Sequence, residues 1–135
     1  MEIILDADVI ISGEKNIFDL QGWLESRAED RFEIAAITVA ELWHGVERAS
    51  AAQRTGRQKY LEALLAVLPI IPYTEETAYY HARIWSNLET SGNIIGAYDL
   101  IVAATALQRG RTVATFNRRH FSQVKGLAII EPKRA

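Results

Sequence analysis

The chain has 135 residues, a length typical of one domain with its own hydrophobic core. Hydrophobic residues make up 49% and charged residues 24% of it, a globular composition that excludes a disordered or fibrous chain. The absence of cysteine excludes disulfides, zinc–thiolate sites and cysteine nucleophiles. No apolar run approaches the ~20 residues of a membrane span, and no basic leader opens the chain. We therefore expect a soluble, unexported protein of the cytoplasm.

Charge is distributed unevenly along the chain, although the net charge is only −2. Residues 1–99 hold 16 Asp and Glu against 8 Lys and Arg, whereas residues 100–135 hold 1 against 7. Such asymmetry is compatible with a polyanionic partner near the basic part. A basic segment packed on an acidic neighbour would give the same pattern, and charge alone slightly favours that explanation.

Strands and helices alternate along the sequence. Short apolar runs rich in β-branched residues predict strands, and apolar residues at helical spacing predict helices. In chain order, we predict a strand over 2–5, a helix over 16–28, a strand over 33–37, helices over 38–49 and 54–68, a short apolar stretch over 70–73, helices over 75–90 and 99–108, and strands over 112–116 and 127–130. The alternation predicts an α/β fold, a central, mostly parallel β-sheet flanked by helices, in a single domain over residues 1–135.

Three acidic residues stand where the chain leaves or approaches a predicted strand. Asp6 ends the first strand, Glu41 follows the second at the start of a helix, and Asp99 opens the helix before the strand over 112–116. Sites in open parallel sheets form beyond the carboxyl ends of the strands, so these acids are candidate site residues. Clustered carboxylates favour Mg²⁺ or Mn²⁺, which can activate water for an in-line displacement at phosphorus.

Each of these acids also has a structural explanation, because acidic side chains satisfy free N–H groups in the first turn of a helix. Thr38 and Glu41 have the spacing of a capping box, which favours this explanation for Glu41. The two explanations are about equally good for Asp99. The structural one fits Asp6 poorly, because Asp6 ends an apolar strand.

Further polar residues lie near these acids. Asp8 either widens the acidic site, if the backbone stays extended past Asp6, or caps a turn. Asn117, at the end of a predicted strand, can offer a carbonyl oxygen to a metal, a water or a phosphate. Arg118 and Arg119, which follow it, either hold phosphate by charge-assisted hydrogen bonds or belong to a solvated loop.

Four short motifs, in order along the chain, resemble those of PIN-domain proteins. They are residues 3–10 (IILDADVI), 38–42 (TVAEL), 95–104 (IGAYDLIVAA) and 113–117 (VATFN), the last followed by His120 and Phe121. Their order and spacing hold from about residue 2 to residue 130. In size and in the close of the chain, the sequence is most similar to the VapC-type toxins of toxin–antitoxin pairs, including the FitB-like branch.

The resemblance implies a Mg²⁺- or Mn²⁺-dependent ribonuclease. It assigns the family's metal-binding acids to Asp6, Glu41 and Asp99, and Asn117 completes the catalytic set. With these residues the implied reaction is attack of an activated water on an RNA phosphodiester.

Some positions depart from the family pattern. Asn117 stands where the family often has Asp, and Asp8 stands where Asn, Ser or Thr is usual, so Asp8 is an accessory candidate. Thr115 matches a family hydroxyl near the site, whereas His120 occupies a place where Asp is common. The resemblance further implies a homodimer and a cognate VapB-type antitoxin, which would dock on exposed apolar residues of the first helices.

Two other interpretations remain open. Asp6 and Asp8 match the D-x-D opening of haloacid-dehalogenase-type phosphatases, although no lysine motif or late pair of acids follows. The other is a PIN-like module that has lost catalysis and binds RNA or a partner, for which Asn117 is the best argument. Mn²⁺ binding separates the inactive module from the nuclease, because the inactive module should lack it.

Overall fold

Apolar runs in the sequence become five strands in the computed structural model, which describes residues 1–133. Arg134 and Ala135, the end of the predicted domain, lie outside the described residues. The strands are β1 (Glu2–Leu5), β2 (Arg31–Ala35), β3 (Ile70–Ile71), β4 (Thr112–Ala114) and β5 (Ala128–Ile130). The helices within this range are α1 (Ala7–Glu14), α2 (Leu20–Ser26), α3 (Ala36–Glu47), α4 (Ala51–Leu65), α5 (Glu75–Ser91), α6 (Ala97–Arg109) and α7 (Arg118–Phe121).

The five strands form one sheet in the order β3-β2-β1-β4-β5, and every pair is parallel. The central strand β1 aligns Ile3 with Phe32 of β2 and with Thr112 of β4. The predicted α/β fold with a parallel sheet and flanking helices is therefore confirmed. None of the helices in the described part of the chain is long and apolar enough to cross a membrane.

Alternate side chains of β1 enter two separate cores. Ile3 and Leu5 pack on the face covered by α1 to α4, whereas Ile4 packs on the face covered by α5 to α7. All three side chains are completely buried, as expected for a parallel strand covered on both sides. The helices cover both faces of the sheet, so polar side chains can gather only where the strands begin, here called the amino edge, and where they end, the carboxyl edge.

The helix α1 was not predicted from the sequence. Asp6 caps it, because its side chain accepts a hydrogen bond from the backbone N–H of Ala7 at 2.9 Å. The backbone therefore turns into a helix directly after Asp6, and the extended conformation considered for Asp8 is wrong. The polar region predicted after β4 likewise contains the four-residue helix α7.

The capping box predicted for Thr38 and Glu41 is also wrong. Strand β2 ends at Ala35, two residues earlier than predicted, and α3 begins at the next residue. Ala35 is the N-cap and makes no side-chain hydrogen bond, while Thr38 lies inside the helix and is completely buried. The structural explanation for the acid at position 41 is thereby removed.

Candidate active site

The predicted acids come together at the carboxyl edge of the sheet. Asp6 directly follows β1, and Asp8 lies in the first turn of α1. Glu41 lies on α3, which begins where β2 ends, and Asp99 lies in the first turn of α6, the helix that leads into β4. Because the strands are parallel, these elements all meet at the same edge.

Asp6 is the most buried of the four acids, with 4% of its surface exposed. Its Oδ2 accepts a hydrogen bond of 2.7 Å from the Thr115 hydroxyl, which follows β4. Burial and, to a smaller extent, the nearby charges of Asp8 and Asp99 together raise the pKa of Asp6 to about 8, against the lowering effect of its hydrogen bonds. In the absence of a cation, this carboxyl group therefore holds a proton at neutral pH.

Asp8 faces the same cluster from α1. Its Oδ2 accepts a hydrogen bond of 3.1 Å from the backbone N–H of Phe116 and lies 3.4 Å from the Thr115 hydroxyl. Because that hydroxyl is only 2.7 Å from Asp6, its proton goes to Asp6. Burial, and then the charge of Asp99, raise the pKa of Asp8. The side chain thus joins the acidic cluster instead of capping a turn.

Glu41 receives no hydrogen bond from residues 1–133, and its Oε1 is buried without a partner. Burial raises the pKa of Glu41 to about 7, with smaller contributions from the charges of Asp99 and Asp8. Three carboxylates from three different helices are therefore close enough to repel one another. A buried polar atom without a partner carries a free-energy penalty that a ligand would remove.

Asp99 lies in a small polar network with Asn117 and His120. The Asn117 Nδ2 donates to Asp99 Oδ2 at 3.0 Å, and the His120 Nδ1 lies 3.2 Å from the same oxygen and 2.9 Å from Asn117 Nδ2. A protonated ring donates to the carboxylate, whereas a neutral ring can accept from the amide. Sequence reasoning left His120 without a role. No signal in the sequence indicated this contact, because it depends on the four-residue helix α7, whose N-cap is Asn117.

Arg118 and Arg119 are exposed on α7, at the rim of this cluster. Neither side chain makes a hydrogen bond or ion pair with the described part of the chain, so both are available to an anionic ligand. In contrast, Arg57, part of an acid-free stretch on α4, is bound to Glu14 and to the carbonyl oxygen of Gly45.

The donor set of this cluster consists of carboxylate and amide oxygens, which suits a hard divalent cation. The carboxyl groups repel one another, and one buried oxygen of Glu41 has no partner among residues 1–133, so the residues fit such an ion chemically. No three His, Asp or Glu side chains in that range stand close enough to hold one ion as they are. Binding would therefore draw the carboxylates together.

The family model of the PIN domain matches residues 3–127 of the chain. The chain belongs to the PIN-domain family. Among curated proteins, it is 34% identical to the VapC ribonuclease Y4jK of Sinorhizobium fredii over 138 residues, covering 96% of each chain. It is 28% identical to the ribonuclease VapC of Rickettsia bellii over 131 residues, again covering 96% of each.

Solved structures agree with this assignment. The complex VapBC2 of Rickettsia felis, bound to a fragment of promoter DNA, contains a chain that superposes with a TM-score of 0.90 at 26% identity, covering 98% of this chain and 100% of that one. FitAcB of Neisseria gonorrhoeae gives 0.82 at 33% identity, covering 95% and 96%. The predicted resemblance to VapC-type proteins, including the FitB-like branch, is confirmed, and the phosphatase alternative is wrong.

This PIN-domain protein is thus a ribonuclease of the VapC type, and ribonucleases with this domain are generally metal-dependent. Family membership establishes the class of chemistry. The geometry of the carboxyl edge determines which side chains of this chain are in place to perform it.

Proposed function

We propose that this chain is the toxin of a VapBC-type toxin–antitoxin pair, an endoribonuclease that hydrolyses RNA phosphodiesters with Mg²⁺ or Mn²⁺ in the cytoplasm. Residues 1–135 act as one nuclease domain. The observation that carries the proposal is the cluster of acids at the carboxyl edge of the sheet, in which Asp6 is buried and the others are partly buried, with no Lys or Arg partner among residues 1–133. We assign metal binding to Asp6, Glu41 and Asp99, and a catalytic role to these three together with Asn117.

A bound divalent cation supplies an activated water and neutralises charge on the phosphate. The side chains and backbone of the protein hold the candidate ligands in position. Asp6 is held from both sides, by the N–H of Ala7 and by the hydroxyl of Thr115. The amide of Asn117 is fixed by Asp99, so its carbonyl oxygen faces away from that carboxylate and is free to orient a water or a phosphate oxygen.

Two residues assist this set and two bind the substrate. Asp8 and Thr115 are accessory: Asp8 adds negative charge close to Asp6, and Thr115 orients Asp6 by a hydrogen bond of 2.7 Å. Arg118 and Arg119 bind RNA phosphates, because they are exposed at the rim of the acidic cluster without a partner among the described residues.

The test is cleavage of total cellular RNA by the purified chain with Mn²⁺, with EDTA, and with the variant Asp6→Asn, mapping new ends by sequencing. We expect discrete ends with Mn²⁺, none with EDTA, and a loss in the variant that exceeds the roughly 10–100-fold typical of removing an outer partner of a metal ligand. Glu62→Gln is the matched control, because Glu62 is an exposed acid on α4, and it should cleave like the wild type. Equal cleavage by Asp6→Asn would show that the activity is a contaminant. A wild-type chain that neither cleaves nor binds Mn²⁺ would be the inactive module.

We further propose that the antitoxin docks in a groove between the first two helices and α4. The groove has a volume of about 560 Å³ and apolar walls that include Leu20, Leu24 and Val67. The similar solved structures are toxin–antitoxin complexes. Val67→Glu should abolish copurification with the cognate antitoxin, since Val67 is 73% exposed and the change does not disturb the core. Ile94→Glu, 85% exposed outside the groove, is the control and should not. A homodimer is proposed as well, and light scattering on the purified chain tests it.

A further inference from the structure

Two buried side-chain atoms have no hydrogen-bond partner within residues 1–133, and both lie on α3. They are the hydroxyl oxygen of Thr38 and Oε1 of Glu41. Residues three apart on a helix lie on the same face in successive turns, so these two side chains are neighbours. Buried polar atoms are nearly always hydrogen-bonded in folded proteins, so two unpartnered neighbours in one place need an explanation.

Glu41 differs from the other acids of the cluster in lacking support from the chain. Each of the other three receives hydrogen bonds: Asp6 from Ala7 and Thr115, Asp8 from Phe116, and Asp99 from Asn117. A carboxylate that must hold a fixed position needs such a donor, because its side chain otherwise samples several rotamers. The Thr38 hydroxyl is the unused donor one turn away on the same helix face.

We infer that Thr38 is a positioning residue for Glu41, and that its hydroxyl holds the Glu41 carboxylate in the metal-loaded site as the Thr115 hydroxyl holds that of Asp6. Threonine in a helix has two accessible side-chain rotamers, so the hydroxyl can turn toward the next turn of α3. The inference rests on the proposed function, since it concerns the same site. According to this inference, the Thr38 hydroxyl makes its hydrogen bond when the metal is bound, and its role is not limited to filling space in the core.

The experiment compares Thr38→Ser, Thr38→Ala and Thr38→Val. Serine keeps the hydroxyl, alanine differs from serine by that hydroxyl alone, and valine keeps the shape of threonine without it. Removing an outer partner of a metal ligand typically reduces metal affinity or activity by about 10–100-fold. We therefore expect Ala and Val to weaken Mn²⁺ binding in calorimetric titration by about 10-fold or more and to lower kcat with little change in KM for RNA. Ser should stay close to the wild type.

Two further measurements separate positioning from packing. Thermal unfolding in EDTA should show Thr38→Val at least as stable as the wild type, because it replaces a partnerless buried hydroxyl by a methyl group. In a Glu41→Gln background, Thr38→Val should produce no additional loss of Mn²⁺ affinity, because the carboxylate that the hydroxyl supports is gone.

The inference is overturned if Ala and Val bind Mn²⁺ and cleave RNA as the wild type does. It is equally overturned if Ser is as impaired as Ala, or if the effect of Thr38→Val persists undiminished beside Glu41→Gln. These outcomes are distinct from failure of the proposed function, in which the wild-type chain itself shows no Mn²⁺-dependent cleavage that Asp6→Asn removes.

Discussion

The acidic side chains at the amino edge of the sheet have a basic partner, whereas those at the carboxyl edge have no Lys or Arg partner among residues 1–133. At the amino edge, Arg111 pairs with both Glu2 and Glu33, and its Nε lies 2.7 Å from Glu33 Oε1. At the carboxyl edge, no Lys or Arg of residues 1–133 pairs with any acid of the cluster formed by Asp6, Asp8, Glu41 and Asp99. The only basic group in contact with that cluster within this range is the ring of His120.

The difference separates stability from function within one domain. The amino edge balances its charges internally and so contributes to stability at neutral pH. At the carboxyl edge no Lys or Arg of residues 1–133 pairs with the acids, and burial, followed by the charges of the neighbouring acids, raises the pKa of Asp6 to about 8 and that of Glu41 to about 7. Carboxylates that no basic residue of the described chain neutralises can bind a cation from solution.

The largest expected effect is a fall in the stability of the metal-free protein as pH rises. An unfolded Asp ionises near 3.8, whereas folded Asp6 ionises near 8, so the folded state binds more protons between these values. The free energy of unfolding should therefore decrease from pH 5 to pH 8, by at least about 2 kcal/mol, with a smaller share from the partly buried Glu41. Urea denaturation in EDTA measures it.

Asp6→Asn should flatten this pH dependence and make the metal-free protein more stable than the wild type at pH 8. The exposed acid Glu62 offers the control, since Glu62→Gln should keep the slope of the wild type. A free energy of unfolding that is constant or increases from pH 5 to pH 8 would contradict the assignment of unbalanced charge to the carboxyl edge.

At the amino edge, Arg111→Met should lower the stability of the protein without affecting RNA cleavage. It leaves Glu2 and Glu33 without their partner in a site where Arg111 is 21% exposed, so we expect a loss of about 1–3 kcal/mol in the free energy of unfolding. RNA cleavage, measured well below the unfolding temperature, should not change. Arg109→Met, an exposed position two residues earlier, should stay within about 0.5 kcal/mol of the wild type. Loss of cleavage in folded Arg111→Met would mean that the two edges are coupled.

The smallest expected effect concerns the rim of the acidic cluster. Arg118→Ala and Arg119→Ala should each raise KM for RNA by roughly 3–10-fold at unchanged kcat, because an exposed arginine binds phosphate only modestly. The dependence of binding on salt should become shallower, by about 0.7 in the log–log slope for each phosphate of single-stranded RNA that the variant no longer neutralises. Arg83→Ala, an exposed arginine on α5, is the control. A reduced kcat with unchanged KM would place these arginines at the reacting phosphate instead.

Much of this arrangement could be predicted from the sequence. A buried parallel strand is a continuous apolar run, so a polar residue directly after the run can be recognised as a candidate site residue. Asp6 and Asn117 were found in this way, and the strand alternation was enough to predict a parallel sheet. The helix α1 could not be predicted, since Val9, Ile10 and Ile11 are β-branched and favour a strand. The N-cap at Asp6 and burial against the core override that preference.

The details around Glu41 were beyond sequence reasoning for a different reason. A shift of two residues in the end of β2 changed Thr38 from a predicted cap into a buried residue inside α3. Tertiary packing sets where helices and strands begin and end, so these boundaries are the part of the structure that a sequence pattern predicts least well. The contact of His120 with Asp99 depended on α7, whose four residues are too short to show a helical period.

The hydrogen bond from Thr115 to Asp6 joins residues 109 positions apart, and the backbone N–H of Thr115 is itself held by the carbonyl oxygen of Ile130 in the last strand. One of the two hydrogen bonds that hold the Asp6 side chain therefore comes from a residue near the end of the chain, and the other comes from the adjacent Ala7. A nascent chain therefore lacks this hydrogen bond until Thr115 has been synthesised, and it lacks the support for the Thr115 backbone until β5 has followed. Truncated products that end before Thr115 keep Asp6 and Asp99 but lose the Thr115 hydroxyl that binds Asp6 and the Asn117 amide that binds Asp99.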